Sequence, residues 1–131
     1  MHLLTTDKPI VVYGDKTEVD INKSPLARYL LNSSPERSLT VLHNHPGGSF
    51  FSNQDLALFY TIDSVKTLTA VSNQGKVIFI TKSDKYEKEE FRKIIVNYSE
   101  KLYHTSSKMQ DLAMLEVIKE TRKCGVNSKM R

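Results

Sequence analysis

Residues 38–55 constrain the fold more than any other stretch of the chain. Ser38-Leu-Thr-Val-Leu-His43 is apolar and β-branched enough for a buried strand, and it runs directly into Asn44-His45-Pro46-Gly47-Gly48. Pro46 stops the strand, and the paired glycines let the backbone turn sharply away. Ser52, with Asp55 three residues later and Leu56, Phe59 and Tyr60 at helical spacing, marks the start of a helix. A loop of this length can fold the helix start back over the strand end.

Around that unit the 131 residues read as one domain, 1–131, of mixed α/β (α+β) class. Ile10-Val-Val-Tyr13 is a short strand after Pro9, closed by Gly14-Asp15, and Lys16 to Asn22 offers a further extended piece. Ser24-Pro25 opens a helix through Leu30-Leu31. Val65 to Val71 and Lys76 to Thr81 form a hairpin about Ser72-Asn-Gln-Gly75. The period then changes: Phe91, Ile94, Ile95, Tyr98 and Leu102 make one amphipathic stripe. A second helical run from about Ser107 to Lys123 stops at Cys124-Gly125. The expected organisation is an α/β body, 1–83, followed by a C-terminal helical tail, 84–125.

Composition narrows the function classes. One cysteine, Cys124, excludes an internal disulfide framework and a multi-cysteine zinc ribbon. No apolar run approaches the ~20 residues of a membrane helix, and the N-terminus lacks the basic-then-apolar order of a secretory signal, so a soluble cytoplasmic protein is expected. The net charge of +4 invites a nucleic-acid reading, nuclease or binder. Its distribution argues against one. Residues 1–60 carry five basic against six acidic side chains and residues 61–131 fourteen against nine, with the acids interleaved along the helical half. That pattern suits a solvated helix face.

His43 and His45 stand at i and i+2 of the strand and so share one face. With Asp55 carried back by the helix start, two imidazoles and a carboxylate make a three-ligand zinc site whose fourth position is left for water. Ser52 could supply a hydroxyl to an oxyanion. Each piece has a plainer reading: a polar strand end, a turn, and an N-cap with a favourable acid in the first helical turn.

His-Asn-His-Pro-Gly-Gly-Ser-Phe-Phe-Ser-Asn-Gln-Asp resembles the metal-binding signature of the JAB/MPN (JAMM) metalloprotease superfamily, an upstream Glu followed by His-x-His-Pro and Ser-x-x-Asp. The nearest variants are RadC-like proteins and the JAB-like domains of phage minor head proteins and polymorphic toxins, which implies a phage or mobile-element setting. The resemblance spans about Leu39 to Thr81 and, more loosely, the helical tail ending near Gly125. It implies a JAB/MPN-like (cytidine-deaminase-like) β-sheet flanked by helices, with Zn2+ held by His43, His45 and Asp55 and Ser52 on the oxyanion side. The implied activity is hydrolysis of a peptide or isopeptide bond in a peptide or protein substrate by metal-activated water.

Two departures stand out. The loop from His45 to Asp55 is one residue shorter than in the family. The family's general-base Glu belongs on an early strand, which here corresponds to Met1 to Thr5 or to chain before it; no acid occurs in Met1 to Thr5, and Glu18 lies 25 residues before His43 on a different element, so the Glu is expected to lie upstream of Met1, to be replaced by Glu18, or to be missing. A catalytically inactive binding or assembly module is therefore the alternative expectation.

Overall fold

The computed structural model describes residues 2–4, 10–11, 25–45, 51–72, 75–102 and 107–131, without the side chains of 2–4, 10–11, 45, 72 and 107. The Pro46-Gly47-Gly48 turn, Tyr13-Gly14-Asp15 and the Lys16 to Asn22 piece with Glu18 lie outside the described residues.

Among the described residues six strands form one sheet: β1 (His2–Leu4), β2 (Ile10–Val11), β3 (Leu39–His45), β4 (Val65–Ser72), β5 (Val77–Lys82) and β6 (Val126–Met130), in the order β2-β1-β3-β4-β5-β6. β3 and β4 run parallel, which requires a crossover connection, supplied here by α2 (Asn53–Thr61). The neighbouring pairs are antiparallel. Helix α1 (Pro25–Ser33) precedes β3, and α3 (Lys88–Asn97), α4 (Ser99–Leu102) and α5 (Ser107–Thr121) lie between β5 and β6. The fold is therefore mixed α/β.

The sheet's period-two alternation builds the core. Leu39 and Val41 of β3, Leu68 and Ala70 of β4, and Ile78 and Ile80 of β5 are buried. Register aligns Val41 with Leu68 and Leu68 with Ile80, and in the next row His43 with Ala70 and Ala70 with Ile78. Phe59 of α2 fills the centre, its ring 5.4 Å from that of Phe91 and 6.2 Å from that of Tyr86.

Two elements differ from the sequence expectation. The stripe from Phe91 to Leu102 is divided at Tyr98, which ends α3 with φ −98° and ψ 3°. The amide of Tyr98 still donates to Ile94 O (3.2 Å), and that of Leu102 to Tyr98 O (2.9 Å), so the apolar stripe survives the break. The second difference is larger. The chain does not end as a helical tail: Arg122–Cys124 form a 3₁₀ turn, Gly125 reverses direction at φ 83°, and β6 returns to pair with β5.

The inward row of β5 ends in a lysine. Lys82, 2% exposed, points its ammonium at the Phe59 ring (4.7 Å) and the Tyr86 ring (5.2 Å) and donates to Ile62 O at 3.3 Å. Burial pulls its pKa down to about 8, against a partial opposing pull from Asp63. Between that value and the ordinary 10.5 the unfolded chain holds the proton that the native state has released, so stability rises with pH across this window. Burial raises the Cys124 thiol to about 11, which opposes the gain above pH 9. Wild type is expected to gain about 1 kcal/mol in urea unfolding between pH 7 and 9, and Lys82→Met to remove that slope. An unchanged slope in the variant would refute the assignment.

Candidate functional site

The site is built where the end of β3 meets the start of α2. Ser52 has extended backbone (φ −87°, ψ 168°) and occupies the N-cap, and its Oγ accepts from the Asp55 amide at 3.1 Å. In return the Asp55 Oδ2 accepts from the Ser52 amide at 2.8 Å, completing a reciprocal capping box. Phe51 before the cap and Leu56 after it are both buried, the two positions of a hydrophobic staple. These contacts fix the helix start and the carboxylate it carries.

The second carboxylate oxygen faces the strand. Asp55 Oδ1 lies 2.9 Å from His43 Nδ1, with the Asp55 side chain 4% and that of His43 18% exposed. With Asp55 ionised, Nδ1 carries the proton and Nε2 is the ring's lone-pair nitrogen. The carboxylate also sits in the first turn of α2, where the helix dipole favours negative charge. A buried anion is thus stabilised by a backbone amide, an imidazole and the helix end together.

His43, Ser52 and Asp55 are brought together, the histidine and the aspartate standing twelve positions apart in the chain. His45 lies two positions further along the same strand, paired in register with Ser72, and its side chain lies outside the described residues. Among the described residues no group of three His, Cys, Asp or Glu side chains converges. The pair nevertheless suits zinc in its donor set, an imidazole nitrogen and a carboxylate oxygen at one point. For both to hold one ion, His43 would have to give up its Nδ1 proton, because only an unprotonated ring nitrogen ligates zinc.

Ser52 keeps both of its readings. Its oxygen accepts in the cap, and a serine hydroxyl that accepts there can still donate, as an oxyanion requires.

Two clefts lie away from this pair. One of about 390 Å³ sits at the far end of α2, bordered by Leu31, Glu36, Thr61 and Asp63. The other, of about 370 Å³, lies between α5 and β6. The Lys82 cage is absent from the sequence expectation, although position 82 continues the inward parity of Ile78 and Ile80 and so signals a buried lysine. Tyr86, the other wall of that cage, buries a hydroxyl that has no hydrogen-bond partner among the described residues. Among those residues no helix is long and apolar enough to cross a membrane. Comparison with protein-family models, curated proteins and solved structures gives no match.

Proposed function

We propose that the chain is a zinc-dependent hydrolase of JAMM type, acting on a peptide or isopeptide bond. The observation that carries this reading is the His43–Asp55 contact at the strand–helix junction, with Ser52 capping the same helix. His43 and Asp55 would hold the metal, with His45 as the third ligand. When bound there, zinc supplies a Lewis acid and an acidified water.

The chain's own residues contribute position and charge. The capping box holds the Asp55 carboxylate still, so one oxygen stays on the Ser52 amide while the other serves the site. The Ser52 hydroxyl offers a hydrogen bond to the oxygen of the attacked carbonyl, a contribution worth about 10²–10³ in rate for a well-placed donor.

A second reading is favoured by one observation. β1, the strand hydrogen-bonded beside β3, carries His2-Leu3-Leu4 and no carboxylate. Without an acid there to take a proton, the domain would hold the metal and bind a partner with little turnover.

Zinc analysis of protein expressed metal-replete separates these readings. The expected result is close to one equivalent in wild type and less than about a tenth of that in His43→Ala. Wild type without zinc would overturn both metal readings. Zinc together with cleavage of linear or isopeptide-linked reporter peptides supports the hydrolase, and zinc without cleavage selects the binding module.

A further inference from the structure

Among the described residues the sheet ends at β6, whose outer side meets no further strand. Val77 and Arg131 exchange both backbone hydrogen bonds (2.8 and 2.7 Å), and the Ser83 amide donates to Gly125 O at 2.9 Å. This fixes the phase of the antiparallel pair: residues 127 and 129 turn their amides and carbonyls to β5. Ser128 and Met130 turn theirs outward, and those four groups have no backbone partner among the described residues.

Beside this edge lies the cleft of about 370 Å³ under α5, floored by Ile78, Leu112, Leu115, Ile118 and Met130. Leu112 is 47% and Met130 51% exposed, high for large apolar side chains. Lys119 and Arg122 stand at its rim, while Glu116, also there, lies 3.9 Å from Lys101. By strand alternation Lys129 and Arg131 project to the opposite face of the sheet. Among the described residues none of Lys119, Arg122, Lys129 and Arg131 has an acidic partner within ion-pair distance.

We infer that β6 is a docking edge for an extended peptide that alternates apolar and acidic side chains. Its backbone pairs with Ser128 and Met130, its apolar side chains enter the cleft under α5, and its acidic ones lie on the other face beside Lys129 and Arg131. Charge decides between this occupant and a second copy of the chain. A β6–β6 pairing would set Lys129 and Arg131 of both copies on one face, where like charges repel. An acidic strand reverses that sign.

The edge is also tied to the strand–helix junction by register. His43 aligns with Ala70, Ala70 with Ile78, and Ile78 with Met130. Three strand spacings separate the row's ends, so a docked strand lies roughly 15–20 Å from His43. The inference does not depend on the metal reading.

The test uses a fluorescein-labelled short peptide alternating leucine with glutamate, titrated with the intact protein and followed by anisotropy. Saturable binding is expected, weakened at least about tenfold by Lys129→Glu and recovered when that variant meets the leucine–lysine peptide. N-methylation of alternate peptide amides, which removes the strand pairing, should abolish binding, as should Leu112→Asp. Absence of binding at about 1 mM peptide overturns the inference. So does equal binding of the N-methylated or lysine peptide to wild type, or a wild-type dimer in sedimentation that excludes the peptide.

Discussion

Gly125→Ala is expected to lose about 3 kcal/mol or more of folding stability, a large share of the 5–15 kcal/mol of a typical domain. Gly125 has φ +83°, a left-handed conformation that costs a residue with a side chain about 1–2 kcal/mol. The larger part is steric. An added Cβ would lie 2.4 Å from both the carbonyl carbon and oxygen of Lys85 and 2.5 Å from the Tyr86 amide nitrogen. Those are backbone atoms, and they cannot swing aside as a side chain would. The surrounding turn is tied down as well. Gly125 O accepts from the Ser83 amide (2.9 Å) and hydroxyl (2.7 Å), and Cys124 O from the Glu87 amide (2.8 Å). Relief therefore means separating β6 from the end of β5. Gly75→Ala is the control: φ is +81° there, but a Cβ would meet nothing within 4 Å among the described residues. Urea unfolding of the two variants should place Gly125→Ala at least about 2 kcal/mol below Gly75→Ala. Similar midpoints would mean that the close approach is not enforced.

The same turn marks where local sequence signals cease to determine the fold. The Cys124-Gly125 stop was readable because glycine is the residue that left-handed helix ends require. The strand beyond it was not. Val126-Asn-Ser-Lys-Met130 has one fully buried residue and no run of β-branched side chains, so local propensity does not announce a strand. It becomes one because Gly125 aims it at the free edge of β5, and tertiary pairing overrides weak propensity. Tyr98 is a milder case, in which the i to i+4 bonds on either side preserve the stripe across the break. By contrast, β3 and α2 were legible because each signal there is local: an apolar, β-branched run from Ser38, a proline after it, and a serine three residues before an aspartate. That locality also carried the site. A capping box needs only Ser52 and Asp55, and once α2 starts where it does, Asp55 has a single strand end to face. Burial of Lys82 depends on Phe59 and Tyr86 arriving from separate elements, so only its parity in β5 hinted at it.

Asp55 is the residue at which fold and site can be separated. Asp55→Ala removes the capping box and leaves the Ser52 amide and the His43 Nδ1–H without their acceptor, which is expected to cost about 2–4 kcal/mol. Asp55→Asn keeps one oxygen for the Ser52 amide and turns an NH2 group to His43, whose ring can answer by moving its proton from Nδ1 to Nε2. That variant should lose only about 1 kcal/mol and remain folded. Its zinc affinity should fall regardless, because the negative charge is gone and the lone pair of the imidazole now faces an amide. The size of the fall reports the role of the carboxylate. A loss of about 10–100-fold is the range for a group that orients a ligand, whereas a direct ligand should cost more. Isothermal titration with zinc, beside urea unfolding of both variants, reads the two quantities independently. If Asp55→Asn binds zinc as tightly as wild type while Asp55→Ala is destabilised, Asp55 serves the helix alone, and the metal reading of the strand–helix junction fails.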